Sequence, residues 1–129
     1  MIAVDTSALI AIAQTEAQGD ACISALARAD VVCISAGTLA ETLVVSSRRG
    51  ITAEMTALIE KYQFTIVPLT AASARRIAEA YRLWGRGMHP AALNLGDCFA
   101  YVVSKEYSCA LLFVGNDFSK TDIESVLKD

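Results

Sequence analysis

Apolar residues follow two rhythms along this chain. Residues 2–4, 31–35, 64–67 and 110–114 form short, nearly continuous apolar runs rich in β-branched side chains. That is how strands covered on both faces read. Between them the spacing turns helical. Residues 8–13 begin a helix of small and branched side chains, and 16–29 form a second, with Ala21, Ile23, Leu26 and Ala27 on its inner side. Gly37 releases a helix over 38–49, which Gly50 closes. Residues 52–62 carry Met55, Leu58, Ile59 and Tyr62 as one stripe. Thr70 caps a helix running to about Trp84, with Ala74, Ile77, Ala78, Tyr81 and Trp84 facing in and Arg75, Arg76, Glu79 and Arg82 facing out. A loop over 85–96 precedes a last helix over 97–106, released by Gly96. The tail from Gly115 reads as polar and turn-like, with one short edge strand near Ile123. Strands alternating with helices, and no Asn-Gly hairpin signal, predict an α/β sandwich around a mostly parallel sheet of four to five strands.

Composition sharpens this picture in three ways. The chain has 129 residues, which suits a single domain spanning 1–129. Hydrophobic residues make up 54% and charged ones 19%. That excess suits a dense core plus a surface for a second copy or a partner. No apolar run reaches the roughly 18–20 residues of a membrane span, so no membrane role is expected. The net charge of −3 excludes a global basic field for holding nucleic acid. Met1-Ile2-Ala3-Val4-Asp5 lacks the basic start of a secretory leader. Cys22, Cys33, Cys98 and Cys109 show no C-x-x-C spacing and lie in apolar surroundings, so they read as reduced core residues of a cytoplasmic protein.

The chemistry lies in four acids in apolar settings. Asp5 is the only charged side chain among the first 15 residues, at the carboxyl end of the first strand. Glu41 is the only charge between Val31 and Ser47, on a helix face shared with Thr38, Val44 and Val45. Asp97 is the one charge in the run from Pro90 to Ser104, and Asp117 follows the fourth strand through Gly115-Asn116. Singly, each has a plain reading. Asp5 is a helix N-cap, Asp97 a first-turn acid favoured by the helix dipole, Glu41 a partner for Arg48, and Asp117 a turn residue. Together, four acids with a single His suggest oxygen ligation of Mg²⁺ or Mn²⁺ rather than zinc. The reaction implied is metal-assisted phosphodiester hydrolysis.

The motifs Val4-Asp5-Thr6-Ser7-Ala8-Leu9, Ala40-Glu41, Leu95-Gly96-Asp97-Cys98-Phe99-Ala100-Tyr101 and Phe113-Val114-Gly115-Asn116-Asp117-Phe118 resemble, in order and spacing, the PIN-domain ribonucleases, and in particular the VapC toxins of bacterial toxin–antitoxin pairs. The stretch His89-Pro90-Ala91-Ala92-Leu93-Asn94-Leu95-Gly96-Asp97-Cys98 is the most specific part of the likeness. The resemblance implies a three-layer α/β/α sandwich and a Mg²⁺- or Mn²⁺-dependent endoribonuclease that inhibits translation. Its metal-ligand and catalytic positions fall on Asp5, Glu41, Asp97 and Asp117, with Asn116 as a substitute for the last. Thr6, Ser7 and Asn94 are the auxiliary polar residues. The implied products carry 5′-phosphate and 3′-hydroxyl ends.

RNA contacts must come from local basic groups: Arg86 and His89 in the loop, Arg82 on the helix before it, and Arg49 at the end of the Glu41 helix. Tyr81 and Trp84 read as core rather than as base-stacking platforms. The implied partners are a transfer or ribosomal RNA, a VapB-type antitoxin and a second copy of the chain. Two alternatives compete. One is a non-catalytic binding module on the same fold. The other is a receiver-like signalling domain, which needs an acid pair after the first strand and an acceptor Asp after the third; this chain has Asp5 alone and Pro68-Leu69-Thr70 there.

Overall fold

In a computed structural model describing residues 1–128, the elements run β1 (Ile2–Val4), α1 (Thr6–Ala13), α2 (Gly19–Arg28), β2 (Val32–Ser35), α3 (Ala36–Arg49), α4 (Thr52–Tyr62), β3 (Thr65–Val67), α5 (Ala71–Trp84), α6 (Leu95–Glu106) and β4 (Ala110–Leu112). The strands form one sheet in the order β3-β2-β1-β4, every pair parallel. Successive side chains alternate between its two faces. Ala3, Cys33, Val67 and Leu111 join Ile77, Ala80, Tyr101 and Val102 in one core. Val4, Val32, Ile34 and Leu112 join Leu9, Ile10, Leu26, Met55 and Leu58 in the other. The result is the three-layer sandwich the alternation predicts, with α5 and α6 on one face and α1, α2 and α4 on the other. Helix α3 touches α1, α4 and α6, so it bridges the two layers at one end of the sheet.

The order places the site. From β1 the chain steps to β2 and β3 on one side, then returns to lay β4 on the other. The reversal opens a crevice beyond the carboxyl ends of β1 and β4, where open parallel sheets bind ligands.

Several expectations change. The fifth strand near Ile123 reduces to one parallel pairing beside β4: Leu111 N–H donates to Glu124 O at 2.9 Å, and Val126 N–H to Leu111 O at 3.0 Å. Strand β3 lies at the sheet edge, so Ile66 is half exposed rather than covered on both faces. Helix α2 begins at Gly19 and buries Cys22, Ala25 and Leu26, leaving Ala21, Ile23 and Ala27 outside. A Cβ on Gly19 would sit 2.7 Å from Ala11 O, so only glycine lets α2 approach α1 this closely. Helix α5 buries Ser73, Ile77 and Ala80, while Ala74 and Ala78 lie outside and Tyr81 and Trp84 pack from the flank. Glu79 pairs with Arg82 rather than Arg75. All four cysteines are free thiols, as expected. Among the described residues no helix is long and apolar enough to cross a membrane.

Candidate metal centre

Asp5 leaves β1 in extended conformation and serves as N-cap of α1. Its Oδ2 accepts from Ser7 N–H at 3.1 Å and from Ser7 Oγ–H at 2.7 Å. Ser7 Oγ in turn accepts from Val114 N–H at 3.0 Å. One hydroxyl therefore ties Asp5 to the chain leaving β4, across the crevice. The plain reading of Asp5 as a cap is correct, yet it does not exhaust the residue. Asp5 is buried, and among the described residues its Oδ1 accepts no hydrogen bond. Burial pushes its carboxyl above the ordinary range, the Ser7 bonds oppose this, and the charges of Glu41 and Asp117 add to it.

Asp97 is also built by a cap. Helix α6 starts at Leu95, two residues before the expected point, with Asn94 as N-cap. Asn94 Oδ1 accepts from Asp97 N–H at 2.8 Å, and Asp97 Oδ2 accepts from Asn94 N–H at 3.0 Å. This is a reciprocal capping box with an acid at its third position. Burial pushes the Asp97 carboxyl from the ordinary 3.8 to about 6, against the Asn94 bond and with help from the charges of Asp5, Asp117 and Glu41.

Glu41 arrives from mid-helix. Its Oε1 accepts from Thr6 Oγ–H at 2.8 Å. The Thr6 hydroxyl has a single proton, so at the 3.0 Å contact with Thr42 Oγ1 it is Thr42 that donates. Arg48, the expected partner, forms no ion pair with Glu41 among the described residues. The surroundings of Glu41 also correct its assigned face: the buried stripe of α3 is Gly37, Thr38, Thr42 and Ser46, whereas Val44 is 58% exposed.

Two glycines bring α3 against α6, neither in the role expected of it. Gly96 is helical and breaks nothing. A Cβ there would collide with Glu41 Oε2 and lie 2.8 Å from Glu41 Cδ, so glycine leaves room for the carboxylate beside Asp97. Gly37 lies inside α3, which Ser35 caps. A Cβ on Gly37 would lie 2.6 Å from the Phe99 ring. Each helix thus fills the other's gap: Phe99 seats over Gly37, and Glu41 over Gly96.

Asp117 lies exposed in the loop after β4, close enough that its charge raises both Asp5 and Asp97. Asn116 lines a groove of about 750 Å³ with Glu16, Gln18 and Phe118. The four acids thus lie near enough for their charges to act on Asp5 and Asp97, and none of them enters an ion pair among the described residues. The positive ends of α1 and α6 offset part of the repulsion at Asp5 and Asp97.

The donor set fits a hard divalent cation. The ligand atoms are carboxylate oxygens, and Asp5 Oδ1, Asp97 Oδ1 and Glu41 Oε2 accept no hydrogen bond among the described residues. Among the described residues, though, no group of three or more His, Cys, Asp or Glu side chains is placed to hold a metal ion as the chain stands.

The basic residues divide. Arg82 is paired with Glu79 at 2.6 Å on the exposed face of α5. Arg49 Nη1 donates to Gln14 Oε1 at 2.7 Å, at the end of α3, eight residues or roughly 12 Å along the axis from Glu41. His89 Nδ1 accepts from Ala91 N–H at 3.0 Å, and its ring meets Trp84 edge-on at 4.7 Å, so it shapes the loop. Arg86 alone of the four has no ion pair or side-chain hydrogen bond among the described residues; it sits beside Asn94. Sequence reasoning missed Thr42 and the spacing roles of Gly37 and Gly96. The run of small polar residues Thr38, Thr42 and Ser46 at four-residue steps is the signal that could have found the α3 contact.

Comparison with known proteins agrees with this geometry. Residues 2–124 match the PIN domain family. Ribonuclease VapC28 of Mycobacterium tuberculosis is 41% identical over 128 residues, covering 96% of each chain. Ribonuclease VapC42 of the same species is 38% identical over 124 residues, covering 93% of this chain and 95% of that one. Among solved structures, the M. tuberculosis VapC20 toxin, described as cleaving the sarcin–ricin loop, superposes with a TM-score of 0.78 at 20% identity over 98% of both chains. A toxin–antitoxin complex from Klebsiella pneumoniae gives 0.69 at 17% identity, over 95% of this chain and 93% of that one. At such identities these two likenesses speak for the fold.

Proposed function

The chain belongs to the PIN domain family, among its VapC ribonucleases, and from that premise we propose that it is a Mg²⁺- or Mn²⁺-dependent endoribonuclease, the toxin of a VapBC-type pair. The observation that carries this reading is that Glu41 and Asp117 act with their charges on both Asp5 and Asp97, and that among the described residues no cationic side chain pairs with any of the four. Asp117 is the fourth acid of this reading, supported by the effect of its charge on both Asp5 and Asp97, with the neighbouring Asn116 as its substitute. These four residues would hold the ion, which when bound supplies Lewis-acid polarisation and neutralises charge on the phosphate.

The chain's own residues do the rest. Ser7, Thr6 and Asn94 each fix one oxygen of Asp5, Glu41 and Asp97, leaving the other without a hydrogen bond among the described residues. One of the carboxylates takes the proton of the attacking water, and the 3′ oxygen of the ribose leaves. The products are then 5′-phosphate and 3′-hydroxyl ends. The substrate class is transfer or ribosomal RNA, and its cutting inhibits translation in the cytoplasm. A cognate VapB-type antitoxin neutralises the enzyme, since a basic side chain from such a partner would meet four unpaired carboxylates. Leu43 and Val44, exposed on α3, support a homodimer. Residues 1–129 form a single domain.

The test is incubation of the purified chain with total cellular RNA in Mn²⁺, in Mg²⁺ and in EDTA, followed by mapping of the new ends. Asp97→Asn should abolish cleavage while leaving the melting temperature within a few degrees. Unchanged cutting by that variant, or in EDTA, overturns the proposal. Failure to bind Mn²⁺ in a titration favours the non-catalytic module instead.

A further inference from the structure

Beside the acids lies a cavity of about 450 Å³ that nothing above has used. It is lined by Ala78 and Tyr81 of α5, Arg86 of the following loop, and Asn94 and Leu95 at the start of α6. Its floor is apolar. Leu95 is 57% exposed, an unusual place for a leucine at the first position of a helix. Its polar groups are unspent: among the described residues the Tyr81 hydroxyl and the Asn94 amide nitrogen make no hydrogen bond, and Arg86 makes no ion pair. Tyr81 is held in place from behind, because a Cβ on Gly85 would lie 2.8 Å from its ring. One wall is shared with the acid site, since the Asn94 side chain that opens onto the cavity also accepts from Asp97 N–H.

We infer that this cavity receives one unstacked nucleobase of the RNA, next to the scissile phosphate, and so selects the sequence that is cut. This rests on the ribonuclease reading. An aromatic ring beside apolar side chains, with free amide and hydroxyl groups at the rim, is how proteins hold splayed-out bases. The unpaired Arg86 guanidinium at the mouth complements the phosphate chain that must bend past it, or stacks on the base. Tyr81, which the sequence pattern assigns to the core, becomes the base platform. It packs from the flank of α5 rather than beneath it.

The test uses the full chain and fluorescein-labelled oligo(A), oligo(C) and oligo(U) RNAs of about ten nucleotides, titrated in EDTA so that none is cut. The wild type should prefer one base. Ala78→Trp fills the cavity from an exposed helix position without touching the core. It should weaken binding to the preferred RNA by about 5- to 100-fold and level the three affinities. Tyr81→Ala should do the same, and Tyr81→Phe should restore binding. Arg86→Gln should weaken all three RNAs alike and reduce the salt dependence by about one phosphate contact. Unchanged affinity and preference in folded Ala78→Trp overturns the inference, as does an absence of binding by the wild type. A cleavage arm in Mn²⁺ separates the two readings. If the wild type binds with base preference but cuts no RNA, the ribonuclease reading fails and the cavity stands. If Ala78→Trp cuts the same bonds at the wild-type rate, the cavity fails and the ribonuclease reading stands.

Discussion

Helices α3 and α4 follow one another in the chain and are built on opposite plans. Helix α4 turns Met55 and Leu58 inward and its polar residues outward. Helix α3 buries Thr38, Thr42 and Ser46 and leaves Leu43 and Val44 in the open. The difference follows from what each helix packs against. Helix α4 covers an apolar core, where area removed from water contributes about 25 cal/mol per Å². Helix α3 crosses the start of α1 and the first turn of α6, where it must bring one carboxylate to within reach of two others. Small residues let the backbones approach, and hydroxyls fix the rotamer of Glu41 through Thr6. A helix that packs through small and hydroxyl side chains thus departs from the hydrophobic pattern that a core-covering helix obeys.

The contrast can be tested by removing one side chain from each plan. Glu41→Gln should lower RNA cleavage by about 100-fold or more while leaving thermal stability near that of the wild type. Met55→Ala should do the reverse, costing about 2–5 kcal/mol in a denaturant titration while the molecules that remain folded cut RNA at a normal rate. Loss of folding in the first variant, or of specific activity in the second, breaks the distinction.

A smaller effect sharpens it at the facing helix. The Asp97 carboxyl titrates near 3.8 when unfolded and is pushed to about 6 in the fold. Between those values the folded chain holds a proton that the unfolded chain has released, so stability falls as pH rises through the window and levels off above it. In EDTA, the difference in melting temperature between wild type and Asp97→Asn should therefore change across pH 4 to 6, to the wild type's disadvantage. A divalent cation should oppose that loss, more at pH 7 than at pH 5. A flat difference would show that burial, with the neighbouring charges, does not raise the Asp97 carboxyl. The smallest effect lies inside α3 itself. Thr38 Oγ1 is buried without a hydrogen-bond partner among the described residues. Thr38→Val should leave stability unchanged or raise it by up to about 1 kcal/mol, as a melting curve would show; a clear loss would mean the hydroxyl has a role in the site.

These contrasts also show how far a sequence can be read. Strand identities follow from local pattern, because a strand covered on both faces must be apolar at every position; β2 obeys this fully and β3 fails only because it falls at an edge. The long stripes of α4 and α6 are legible for the same reason. The acids Asp5, Glu41, Asp97 and Asp117 stand out in the sequence because an isolated charge in an apolar run needs a partner that the run itself cannot supply, and their role as ligands remains a proposal. What failed were the faces of α2, α3 and α5; in the first two a glycine lets another helix approach, Gly19 against Ala11 and Gly37 against Phe99.

The sequence by itself determined the element order, the parallel sheet and which acids stand isolated in apolar runs, since hydrophobic period and charge isolation are local properties. Tertiary structure alone decided that Ser7 would tie Asp5 to the chain after β4, that Gly96 would make room for Glu41, and that among the described residues only Arg86 of the expected basic contacts would stand without an ion pair or side-chain hydrogen bond. Those outcomes depend on how closely two backbones approach, and that distance is set by residues far apart in the chain.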